Sequence, residues 1–136
     1  MSDVWKLDAT AQAQLVRDGE VSPAELVSAA AERIAEVNPA LNAVITDLSE
    51  KALATAQAGL PDGPFRGVPM LLKDLACHSA GDPFHEGMEF LKRRDWRERE
   101  DTYLARRFKD AGLVVMGKTN TPELGILPTT EPVAYG

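Results

Sequence analysis

Apolar residues recur along the chain in two rhythms, and the change from one to the other predicts its elements. Leu26, Val27, Ala30, Ile34 and Val37 fall on one face of a 3.6-residue period. Ahead of them, Ser22-Pro23-Ala24-Glu25 offers a capping serine, a proline at the first helical position and a glutamate three residues after the cap. Such a sequence satisfies the orphan amides of a helix start. A helix is therefore predicted from Ser22 to Asn38-Pro39, where the proline ends the run. A shorter helix, about Ala9 to Arg17, stops at Gly19, and another follows the spacing of Leu48, Ala52, Leu53 and Ala56 and ends before Gly59. Asp101 or Thr102 caps a further helix whose buried stripe is read as Leu104, Phe108 and Ala111, ending at Gly112.

The second rhythm is the short continuous apolar run. Leu41 to Thr46 reads as a short strand, while Val68 to Leu72 and Leu113 to Met116 are apolar on both faces, as strands covered on both sides are. Strand, helix and strand in that order make a crossover unit, so the last two should lie parallel in one sheet. Pro61-Asp62-Gly63-Pro64 is a turn, and Ser79 to Gly87, with one histidine, two glycines and a proline and a second histidine just before it at His78, is a loop long enough to invite a function. Thr119 to Gly136 has little periodicity and reads as extended. Ending in loop composition after so few strands, with sheet edges bare, the chain is expected to be a fragment.

Composition narrows the function classes. In 136 residues, 44% hydrophobic and 26% charged, there is enough apolar material for one globular domain. A formal charge of −6 argues against a nucleic-acid partner, and the cluster Lys92-Arg93-Arg94 is followed by acidic residues that make it a solvated face. No run approaches the roughly 20 apolar residues that cross a bilayer, so no membrane is expected. Met1-Ser2-Asp3-Val4 lacks the marks of a signal peptide. With the single Cys77, which fits a reducing compartment, this points to the cytoplasm.

Candidate chemistry gathers at strand ends. Gly67-Val68-Pro69-Met70-Leu71-Leu72-Lys73-Asp74 delivers a lysine at the end of a buried run, where it either marks the strand surfacing or sits desolvated enough to act as a base. Lys118 ends the other strand and either borders the same crevice at the carboxyl edge of the sheet or pairs with a nearby carboxylate such as Glu123. Gly112-Leu113-Val114-Val115-Met116-Gly117-Lys118-Thr119 matches the phosphate-loop pattern in form, but its four variable positions read as strand and Asn120-Thr121-Pro122 stands where the helix should begin. Asp74, Cys77, His78, His85 and Glu86 fit no zinc spacing, and adjacent Cys77 and His78 point apart on extended chain. No metal and no cofactor is implied.

Four ordered blocks carry a resemblance. Gly67 to Asp74, Asp101-Thr102 before a helix, Ala111 to Gly125 and Thr129-Thr130-Glu131-Pro132 together resemble the amidase signature family, and the likeness extends back through Ser22 to Ile45. Thr121-Pro122-Glu123 is more similar to general amidases than to the amidotransferase A subunits. The resemblance implies an α/β fold with a mixed, largely parallel sheet flanked by helices, and hydrolysis of amide bonds by a serine, a bridging serine and a lysine. On that match Lys73 is the triad lysine, acting through the bridging serine, and Leu124, Gly125 and Ile126 border the acyl pocket or else only pack beneath the loop. Glycine at 125 would leave room for a bulky acyl group. The family's two serines lie in a glycine- and serine-rich segment, and none of Ser2, Ser22, Ser28, Ser49 and Ser79 fits either role. Residues 1–136 are thus expected to form the N-terminal portion of one amidase domain, inactive alone. Its partners would be a small-molecule amide, the rest of the polypeptide and, as an option, a second copy in a homodimer. The alternatives are a non-catalytic remnant or binding module and, behind it, a nucleotide-binding domain.

Overall fold

The computed structural model describes residues 3–136. A 3-10 turn at Val4–Lys6 precedes helix α1 (Ala9–Arg17), which Asp8 caps through the Ala11 N–H. Helix α2 (Pro23–Leu41) has the full reciprocal cap at Ser22 and Glu25. It does not stop at Asn38-Pro39 but carries Pro39 inside its last turn and ends at Asn42, in left-handed conformation at φ 50°. Beyond the proline the chain is clasped by a side chain. Asn38 Oδ1 accepts the N–H groups of Ala43 and Val44, and its Nδ2 donates to the Val44 carbonyl. Strand β1 consequently starts later than the sequence suggests, at Val44–Asp47.

Helix α3 (Ser49–Ala58), strand β2 (Pro69–Lys73), a short helix α4 (Glu89–Arg93), helix α5 (Tyr103–Asp110) and strand β3 (Val114–Thr119) follow. Helix α4 has no counterpart in the sequence reading. Helix α5 buries Ala105 completely and leaves Leu104 49% exposed, so the buried stripe is turned one residue from the expected one. At its end, Gly112 has φ +88°, and a Cβ there would stand 2.6 Å from Arg66 Cα. Glycine alone lets these two turns meet.

The sheet order is β1-β3-β2, with β2 parallel and β1 antiparallel to β3. The α/β fold with a mixed sheet is therefore as the sequence predicts, including the parallel β2–β3 pair. One register irregularity has a large effect. Met70 pairs with Val115 but Leu71 with Gly117, so Met116 is an extra residue in β3. Such a bulge resets the alternation of side chains. Up to and including the bulge, Val114 and Met116 face the helices and pack with Val27, Ala52 and Ala56, flanked by Ala24, Ile34 and Leu71. Each large side chain buried there contributes about 1.5–3 kcal/mol. Beyond it, Lys118 stands opposite Leu72, on the face turned to the 74–88 loop.

Candidate active site

At the carboxyl end of β2, successive side chains point to opposite faces. Leu72 and Asp74 go to the loop side and are buried, while Lys73 goes to the other face and is exposed. Lys73 pairs in register with Thr119 at the end of β3, and the Asp74 N–H donates to the Thr119 carbonyl at 3.0 Å. Thr119 also forms part of the wall of a cleft of about 380 Å³ with Asn42, Asn120, Thr130 and Gly136. Lys73 is not desolvated within these residues, contrary to what its apolar approach suggests.

The desolvated lysine is Lys118. It is 0% exposed, and its ammonium lies 3.7 Å from Asp74 Oδ1, 4.9 Å from the centre of the Phe84 ring and a long 3.5 Å from the Cys77 carbonyl. Lys118 is thus neither a crevice residue nor a surface partner of Glu123. Burial pushes its pKa below the ordinary lysine value, with Asp74 opposing. Burial likewise pushes the Asp74 carboxyl up, against the His85 N–H and the Lys118 cation. That N–H reaches Asp74 Oδ1 at 3.1 Å and Oδ2 at 3.3 Å. Two charges with modest mutual geometry are therefore held out of water together.

Around this pair lies a polar layer that the sequence does not announce. Ser79 is fully buried and its hydroxyl donates to Asp82, whose other oxygen receives Lys51 of α3 at 2.6 Å. His85, 5% exposed, meets the Tyr135 hydroxyl through Nδ1, and its Nε2 has no hydrogen-bond partner among the described residues. Burial lowers the His85 pKa, so the neutral ring is favoured. The Tyr135 hydroxyl is pushed up to about 12 by burial and by Asp74 and Asp95. A visible clue to the layer is the alternation that turns Asp74 away from Lys73.

The other candidates fall apart in space. Cys77 Sγ sits 3.6 Å from Thr102 Oγ1, and His78 Nδ1 lies 2.9 Å from the Glu100 carbonyl, so the two do not pair. Among the described residues no three His, Cys, Asp or Glu side chains gather as a metal cluster, and no helix is long and apolar enough to cross a membrane. The phosphate-loop pattern is strand: β3 runs through its variable positions, Gly117 and Lys118, and no helix follows. That disposition excludes a phosphate cradle built on it. Leu124, Gly125 and Ile126 do come near the end of β2, since the Leu124 N–H donates to the Glu86 carbonyl and the space beside Gly125 is filled by Leu75. The room expected at Gly125 is thus taken by a side chain two residues beyond Lys73. Leu124 and Ile126 are 57% and 94% exposed.

Comparison with known proteins gives the fold a family. Residues 25–136 match the family model for amidases. The chain is 48% identical, over 98% of its length and 27% of theirs, to the 6-aminohexanoate-cyclic-dimer hydrolases of Paenarthrobacter ureafaciens and Pseudomonas sp. strain NK87. It is 36% identical to the indoleacetamide hydrolase of Bradyrhizobium diazoefficiens, over 98% of its length and 26% of that protein's. The structure of 6-aminohexanoate cyclic dimer hydrolase complexed with substrate superposes with a TM-score of 0.90, covering 96% of this chain and 27% of that one at 48% identity. A bacterial aryl acylamidase of the amidase signature family superposes at 0.83 with 29% identity, over 92% of this chain and 27% of that one. The chain spans about a quarter of the length of these curated relatives. With a family model matched over most of its residues and this fold, the chain belongs to the amidase signature family.

Proposed function

We propose that these residues are the lysine-bearing, N-terminal portion of an amide hydrolase whose triad is completed by two serines outside them. Lys73 is the base. It takes a proton from a bridging serine, which takes one from the nucleophilic serine as that oxygen attacks the amide carbonyl; the same relay returns a proton to the departing amine. The observation that carries this reading is the position of Lys73, exposed at the carboxyl end of a parallel strand, in a fold that superposes at a TM-score of 0.90 on a hydrolase of a cyclic amide. Ligands of open α/β sheets collect at that end. Exclusion of water from Lys73 falls to the chain that supplies the serines.

The serines of the described residues support this division of labour: Ser79, in the loop that follows β2, is buried with its hydroxyl committed to Asp82. The exposed apolar side chains of Leu124 and Ile126, with Gly125 seated against Leu75, suit the acyl side of an uncharged aliphatic amide. Similarity to hydrolases of the 6-aminohexanoate cyclic dimer favours that class of substrate. The test is release of free amine from the cyclic dimer. The full-length polypeptide containing these residues is expected to release it and the isolated 136-residue chain to give none. Turnover by the isolated chain would show that residues outside it are not needed. An inert full-length polypeptide, tried on cyclic and linear aliphatic amides, would leave a non-catalytic remnant.

A further inference from the structure

Lys118 and Asp74 have no part in the relay just described, yet they are among the most deeply buried side chains of the molecule, at 0% and 1% exposure. A buried ion pair at 3.7 Å is a poor source of stability, because removing two charges from water costs about as much as their attraction returns. Its contacts are better read by what they fix. Asp74 ties the end of β2 to β3 through its own N–H and the Thr119 carbonyl, and ties the loop to that end by accepting the His85 N–H. Lys118 reaches the Cys77 carbonyl in the turn just beyond and rests on Phe84 of the same loop. Ala76, between these anchors, is held at φ 60°, a conformation a non-glycine residue keeps only when its surroundings impose it. The backbone of residues 73–77 is therefore pinned at three points, once to the neighbouring strand and twice on the loop side. Lys73, next to Asp74 and free of the pair, is thrown to the opposite face.

From this we infer that Asp74 and Lys118 are positioning residues for Lys73, a buried charged clamp that fixes the direction of the strand end from which Lys73 projects. The inference rests on the reading of Lys73 as the triad lysine. A base displaced by about 1 Å loses on the order of 100-fold in rate, so a clamp of this kind acts on turnover rather than on binding.

The full-length polypeptide is assayed for amide hydrolysis as wild type, as Lys73→Ala, as Asp74→Asn and as Asp74→Leu combined with Lys118→Met, with a melting curve for each. Asp74→Asn keeps the size of the side chain and an acceptor for the His85 N–H while removing the charge. The double variant replaces the pair by apolar groups, which for a purely structural ion pair is neutral or stabilising. Both are expected to remain folded and to lose about 10- to 100-fold in kcat, with KM within about twofold of wild type. A double variant that melts at or above the wild-type temperature and keeps its kcat overturns the inference; if it does not fold, Asp74→Asn is judged by the same kcat and KM split. Lys73→Ala separates the two levels. If it retains turnover, the reading of Lys73 fails and the clamp with it; if it is inert while the folded clamp variants keep their kcat, only the clamp fails.

Discussion

On the helix side of the sheet, Val27, Ala52, Ala56, Val114 and Met116 close on one another with apolar atoms alone; on the loop side, one bulge further along the same strand, Lys118 and Asp74 are buried among Ser79, Asp82 and His85. The first region is held by burial of area, which tolerates imperfect partners. The second is held by charge and hydrogen bonds, where each group depends on its neighbour being present. Lys73 leaves the sheet where these regimes meet. The lysine deepest in the fold, Lys118, is thus not the exposed one, Lys73, although both end an apolar strand.

The sharpest way to break the comparison is to remove one half of the buried pair. Lys118→Ala leaves the Asp74 carboxylate without its cation and opens a cavity, and should cost about 3–5 kcal/mol, read from urea unfolding of the folded protein. If it costs less than about 1 kcal/mol, the loop side behaves as an ordinary core. On the helix side, Met116→Ala should cost about 2–5 kcal/mol with no change in the pH dependence of stability, since it removes only contacts and volume. A cost that varied with pH would mean that the two faces are coupled through the bulge.

A smaller effect belongs to Tyr135. Its hydroxyl is raised in the fold to about 12 from an ordinary 10, so the neutral form is the one the fold prefers. The associated stability is fully present below pH 10 and is lost as pH rises from 10 towards 12. Tyrosinate absorbance should show a step near pH 12 that disappears in Tyr135→Phe. A spectrum in which all tyrosinate forms by about pH 10.5 would place Tyr135 in water.

The helix side was legible because it is periodic. The Ser22–Glu25 cap, the stripe from Leu26 onward, and the parallel pairing of β2 and β3 all follow from local spacing. Pro39 misleads, since a proline can sit inside a helix at the cost of one backbone hydrogen bond, and here the helix runs on to Leu41. Leu104 was misplaced because hydrophobicity outweighed the small Ala105 that fits against the neighbouring layer. The loop side was hidden for a different reason. The extra residue Met116 turns Lys118 inward, and Asp74, which receives it, is distant in the chain. Neither the bulge nor the partner leaves a mark in spacing. Lys73 stands out in the sequence by its setting among four ordered blocks, and its apolar approach does not announce its exposure.

Lys73→Ala should disturb the fold least of all these changes, within about 0.5 kcal/mol, because it removes an exposed side chain. It also gives the most direct test of the whole account, measured as hydrolysis of the 6-aminohexanoate cyclic dimer by the full-length polypeptide. The expected result is a loss of about 10²- to 10⁴-fold in kcat with the melting curve unmoved. Turnover at the wild-type rate in a folded Lys73→Ala protein would contradict it.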